Sequence, residues 1–240
     1  MIFRPGKEHI ASIMLFLILG AFFFPSPGLR AEDTAPETRA ARSLQQFYQG
    51  LDSMTFDFTQ TTRVGGRERY GSGNAAFART TLSGEQQSIM RWNYTEPDRQ
   101  VIINDGTTLS IYTHRDRQLI QTPSRELESD ITYAFFAGNR DLLEDFAAQP
   151  ADGNFTYSSP ENLQAVKLVP RQPHNQIRSV TIWYDEGNII RHILIEDHFD
   201  SITELNFENV SLNSVDVGNE KVIEDIISFS IPPGTEIISQ

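Results

Sequence analysis

The sequence predicts a mainly β protein of the α+β class, a strongly curved and open antiparallel sheet with short helices over one face. Three observations carry this. From Ser53 onward, apolar and polar residues alternate with period two over many short runs. Turn signals such as Val64-Gly65-Gly66, Asp105-Gly106 and Asp185-Glu186-Gly187-Asn188 join those runs. Helical spacing is clear only before Ser53 and between residues 124 and 150.

Glu32 to Arg39 is polar, contains Pro36, and reads as a frayed lead-in. Leu44, Phe47, Tyr48 and Leu51 follow i, i+3, i+4, i+7 and predict an amphipathic helix that Gly50 stops. Met54, Phe56 and Phe58 then alternate with Thr55, Asp57 and Thr59, a half-buried strand. Arg67 to Arg79 is a second strand, whose Gly71 and Gly73 suggest a bulge or tight curvature. Thr80 to Gln87 reads as a loop. Met90, Trp92 and Tyr94 alternate with Arg91 and Asn93, Pro97-Asp98 breaks the run, and Val101-Ile102-Ile103 resumes it. Asp105-Gly106 predicts a type I′ turn to Leu109, Ile111 and Tyr112. Arg117 to Gln121 adds a strand.

A helical insertion follows, with Ile131, Phe135 and Phe136 on one helix and Leu142, Leu143 and Phe146 on another. Strands are predicted at 155–158, 163–169, 177–184, 189–196 and 201–210. Lys221 to Asp225 is charged and weakly periodic. Ile226 to Ile231 reads as a last strand before Pro232-Pro233-Gly234. No long linker or repeat divides residues 32–240, which read as one domain.

Residues 1–31 read as a cleaved signal peptide. Arg4 and Lys7 form a basic start, Ile10 to Phe24 is apolar apart from Ser12, and Leu29-Arg30-Ala31 offers a small residue at a cut. The apolar run is shorter than the roughly 20 residues a spanning helix wants. Cleavage removes Arg4, Lys7, Arg30 and Glu8, three cations and one anion, and moves the net charge from −12 to −14. An acidic chain repels phosphate backbones, which argues against nucleic acid as partner. There is no cysteine, so disulfides, thiolate metal sites, cysteine nucleophiles and lipidation at an N-terminal cysteine are excluded.

Catalytic patterns are weak. His9 leaves with the signal peptide. His192 and His198 lie six apart near Asp197 and Asp200, which reads more simply as solvated turn residues than as a metal or acid–base site. Asp105 belongs to a turn, and Glu220, Glu224 and Asp225 to a charged edge. No phosphate loop, serine elbow or zinc helix occurs. The chain is expected to be no enzyme and to use no cofactor. The stronger candidate is an apolar stripe of Met54, Phe56, Phe58, Phe77, Met90, Trp92, Tyr94, Leu109 and Ile111 on one sheet face, joined by Phe135 and Phe136 of the insertion. Taken alone, a packed core is the simpler reading. The many aromatics, the two methionines and the shortage of helices to cover a large sheet favour an adaptable lipid-contacting wall.

Several motifs, in order, resemble the LolA family of periplasmic outer-membrane lipoprotein carriers. They are Phe56-x-Phe58-x-Gln60 after an amphipathic helix; Gly71-x-Gly73 leading to Phe77-Ala78-Arg79; and Met90-Arg91-Trp92-Asn93-Tyr94-x-x-Pro97. Asn104-Asp105-Gly106-x-x-Leu109-x-Ile111-Tyr112 with Gln118, and Phe229-x-Ile231-Pro232-Pro233-Gly234-Thr235-Glu236-Ile237-Ile238, complete the set. The resemblance spans about residues 40 to 240. It implies an incomplete antiparallel β-barrel with a lid of short helices over a hydrophobic cavity for the acyl chains of lipoproteins. It implies a monomeric periplasmic chaperone that passes cargo from an inner-membrane ABC transporter to an outer-membrane receptor. It also implies a lid-closing arginine on the second strand. That position falls on Arg79, with Arg91 as the alternative, because Thr80 to Ile89 is longer than the family's short connection. A competing reading keeps the fold but makes it a lipid- or lipoprotein-sensing regulatory module in the periplasm.

Overall fold

A computed structural model describes residues 35–82, 84–129, 131–137, 141–152, 163–174 and 176–239. The expected signal peptide and the strand expected at 155–158 lie outside the described residues.

Helix α1 spans Pro36–Gln49. It starts earlier than the polar lead-in suggested, because Pro36 sits at its first turn, where the missing N–H costs nothing. Its buried stripe of Thr38, Ala41, Leu44 and Tyr48 packs into the main core. Three long strands follow, β1 (Ser53–Val64), β2 (Arg67–Leu82) and β3 (Glu85–Glu96). Next come β4 (Gln100–Asn104), β5 (Thr108–Thr113) and β6 (Gln118–Pro123). A 3-10 helix over Ser124–Ser129 leads to α2 (Ile131–Ala137) and α3 (Leu142–Asp145). The rest is β7 (Phe146–Gln149), β8 (Gln164–Pro170), β9 (Ile177–Tyr184), β10 (Ile190–Asp197), β11 (Ile202–Leu212), α4 (Glu220–Ile227) and β12 (Glu236–Ser239).

All twelve strands form one sheet in the order β12-β6-β5-β4-β3-β2-β1-β11-β10-β9-β8-β7. Its edges, β12 and β7, do not meet, so the barrel is incomplete. Every pairing is antiparallel except β12 on β6. The concave face carries one continuous core under α1 and α2. The convex face carries a smaller one, where Ile223 and Ile226 of α4 cover Ala78 and Ile89.

Several expectations are corrected. Thr80 to Gln87 is no loop. Residues 79–82 pair with 85–88 in regular register, and Gly84 turns the ribbon at φ +86°. This ribbon overhangs the sheet, since pairing with β1 ends at Ala78 and pairing with β4 ends at Met90. The link at Asp105-Gly106 is a three-residue loop rather than a type I′ turn. Only Gly106 has positive φ, and Asp105 Oδ1 accepts from the backbone N–H groups of Thr107 and Thr108. Phe146 opens strand β7 instead of closing a helix. Ile226 ends inside α4, which Asn219 caps through its side chain. The last strand is Glu236–Ser239.

Candidate functional site

Register puts the apolar stripe on one face. Met54 opposes Phe77, which opposes Met90, and Phe56 opposes Ala75, which opposes Trp92. Leu109 and Ile111 stand on the same side through their pairings with Asn104 and Ile102. The side chains touch as an aromatic network. Phe56 lies 5.4 Å from Trp92 and 4.9 Å from Phe207, and Phe58 lies 4.6 Å from Trp92, ring centre to ring centre. Such edge-on pairs add about 0.5–1.5 kcal/mol each beyond area burial. Sequence alternation did not single out Phe207. It faces Phe58 across the β1–β11 pairing, a partnership that the distance along the chain conceals.

The roof supplies the opposite wall. Phe136 of α2 reaches the centre of the network, 5.1 Å from Phe77, 5.5 Å from Phe56 and 5.7 Å from Phe207. Tyr48 of α1 packs on Phe135 at 5.2 Å, and its hydroxyl accepts the Ile190 N–H. Burial pushes the Tyr48 phenol well above its ordinary pKa, so it stays neutral. In this arrangement the stripe is packed and the roof is closed. Tyr94 and Ile111 are only half-buried, while the other named stripe residues are buried. A shallow hollow, open to solvent, remains at the rim between Tyr48, Leu51, Met54, Phe77, Arg79 and Phe136.

Arg79 sits at that rim. Its guanidinium donates to the carbonyls of Tyr48 and Leu51, each at 2.7 Å, and to that of Gln49. Tyr48 and Gln49 close the last turn of α1 and Leu51 follows its cap Gly50, and a cation suits that end of the dipole. Arg79 is half-buried, which lowers its pKa, and Asp52 partly offsets this. Arg91 points the other way. From the convex side it donates to the carbonyls of Ser228 at 2.8 Å and Ile226 at 3.2 Å, at the end of α4. The two arginines therefore bind different helices on opposite faces of the β2–β3 ribbon.

The polar candidates do not converge. His192 is buried on the convex side, 2.8 Å from Asn206 Oδ1 and against the Trp183 ring. Burial lowers its pKa. His198 lies in the β10–β11 turn and donates to the His174 carbonyl. Asp197 accepts turn N–H groups, and Asp200 pairs with Arg178. Glu220, Glu224 and Asp225 lie on α4, where Asp225 pairs with Lys221 one helical turn away. Among the described residues, no group of three or more His, Asp or Glu is placed to hold a metal ion.

Fold and site together define a class: an open, curved sheet whose concave face buries apolar side chains beneath short helices. Residues 49–216 match the family described as outer membrane lipoprotein carrier protein LolA, and the chain belongs to that family. Among its relatives is an outer-membrane lipoprotein carrier protein of Nitrosospira multiformis. It is 25% identical over 201 residues, covering 82% of this chain and 87% of that one. The carrier protein of Nitrosomonas europaea is 24% identical over 231 residues, covering 94% and 98%. A LolA superfamily protein of known structure from Nitrosomonas europaea is 15% identical, with a TM-score of 0.37 over 76% of this chain and 95% of that one.

Proposed function

We propose that this protein is a soluble periplasmic chaperone, exported by cleavage after residue 31, which carries lipoproteins to the outer membrane by their acyl chains. It works as a monomer, taking cargo from an inner-membrane ABC transporter and yielding it to an outer-membrane receptor. The observation that carries this reading is that the concave apolar face is filled by side chains of separate helices. Phe136 and Tyr48 occupy the space that acyl chains need. Closed and loaded forms then exclude each other. The described residues hold no helix long and apolar enough to cross a membrane.

Burial of acyl chain gains about 0.8 kcal/mol per methylene against water. For a triacyl anchor of roughly 40 methylenes this is on the order of 30 kcal/mol, beyond the ceiling of about 20 for non-covalent affinity. The donor is a bilayer, not water, so transfer into the protein is near neutral or uphill. Loading needs the transporter's work. Unloading needs a closed form stable enough to refill the face. The bonds from Arg79 to the end of α1 supply part of that stability.

Arg79→Leu tests this. Loss of the charged donor weakens closure by on the order of 2 kcal/mol, so the variant loads but retains its cargo. Release of a bound lipoprotein to outer-membrane vesicles is expected to slow at least about tenfold. Release at the unmodified rate contradicts the role given to Arg79.

A further inference from the structure

One row of the concave face is polar. Gln118 on β6 opposes Thr113 on β5, Thr113 opposes Gln100 on β4, and Gln100 opposes Tyr94 on β3. One residue pair further along, the same strands present Ile120, Ile111, Ile102 and Trp92. The face thus changes from hydrocarbon to amide and hydroxyl within a single step of about 7 Å. The polar row continues past β2 because Gly71 has no side chain. A Cβ there would stand 3.2 Å from the Tyr94 ring. The Tyr94 hydroxyl donates to Gln60 Oε1 at 2.8 Å, and Gln60 Nε2 donates to Thr62 Oγ1 at 3.3 Å. Thr62 and Thr203 share a bond of 3.2 Å. Gln100 Nε2 donates to Thr113 Oγ1 at 3.2 Å.

These side chains are half-buried and face the same side as the aromatic network. Their mutual bonds fix their directions. Each amide can donate twice and accept twice, and each hydroxyl can do both, so the row can also bond to a guest. Neutral donors and acceptors in a line match esters and peptide amides. A phosphate prefers cations, and the row ends at β12 in the Glu236 carboxylate, which Gln118 Nε2 meets at 3.3 Å.

We propose that this row seats the ester- and amide-bearing head of the acylated N-terminus of the cargo, with the chains running from it under α1 and α2. The proposal rests on the carrier reading. The row fixes which way the cargo lies and discriminates lipoprotein from phospholipid.

The test measures binding of a synthetic diacylglyceryl lipopeptide, a phosphatidylglycerol of equal chain length and an uncharged alkyl fluorophore. Each is measured with the unmodified protein and with Tyr94→Phe and Gln100→Leu. Tyr94→Phe keeps the ring that packs on Phe58 and Trp92, so the fold is preserved. In both variants the lipopeptide is expected to bind about tenfold more weakly, the fluorophore unchanged, with the preference over phosphatidylglycerol reduced. Unchanged lipopeptide affinity, or equal loss for the fluorophore, overturns the head-group seat while leaving the carrier reading intact. Failure of the unmodified protein to bind lipopeptide at all overturns both.

Discussion

At the scale of the residue, Gly73 is where backbone meets backbone. A Cβ there would lie 1.8 Å from the Asn93 carbonyl oxygen, which no rotation relieves. Gly65 differs: its φ is +56°, yet nothing stands within 4 Å of a Cβ. Gly73→Ala is therefore expected to cost about 3 kcal/mol, as overpacking of a closed ribbon. Gly65→Ala should cost about 1 kcal/mol, for its left-handed backbone alone. Urea unfolding of both checks this, and equal losses would contradict the close approach. The sequence foretold the irregularity, because two glycines one residue apart in a strand of bulky neighbours mark tight curvature. The register between β2 and β3 does shift between Ser72 and Gly73. The alternation of Met54, Phe56 and Phe58 also foretold which side chains share a face. That Phe136 joins the stripe was expected, but how deeply it fills that face was not legible. The depth that Phe136 reaches depends on how α2 lies across the sheet, a matter of tertiary packing that no local period records.

At the scale of the element, the β2–β3 ribbon is gripped on both faces. Arg79 holds the end of α1 on the concave side, and Arg91 holds the end of α4 on the convex side. Transfer is expected to depend on the first contact and stability on the second. Arg91→Leu is expected to lower stability by about 1–2 kcal/mol and the midpoint of thermal unfolding by roughly 2–8 °C. Lipoprotein release should keep its rate. A slowing as large as that of Arg79→Leu contradicts the division. Both elements here escaped the sequence reading for physical reasons. The ribbon overhangs its neighbours, so Thr81, Glu85 and Gln86 are exposed, and its buried side includes the polar Thr80, so no apolar period marks it. At the end of α4 and beyond it, Ile227, Phe229 and Ile231 alternate with Ser228 and Ser230 like a strand, but the Asn219 cap and the Ile223–Ile226 pair commit the first of them to the helix.

At the scale of the whole molecule, an acidic open barrel keeps one apolar face and a set of helices able to cover it. The chain after β11 passes over the convex side. Helix α4 packs on Ala78 and Ile89, Phe229 lies against Tyr112, and β12 then joins β6 as an edge strand. The concave side is thereby left to α1 and α2 and, on the proposed reading, to the guest that displaces them. The most direct measurement is photo-crosslinking in cells. A photoreactive phenylalanine replaces Ile111, half-buried on the concave side, or Tyr70, exposed on the convex side. Covalent adducts with acylated lipoproteins are expected from position 111 and none from position 70. Adducts from both positions alike, or none from position 111 while lipoproteins are being exported, would contradict the carrier reading.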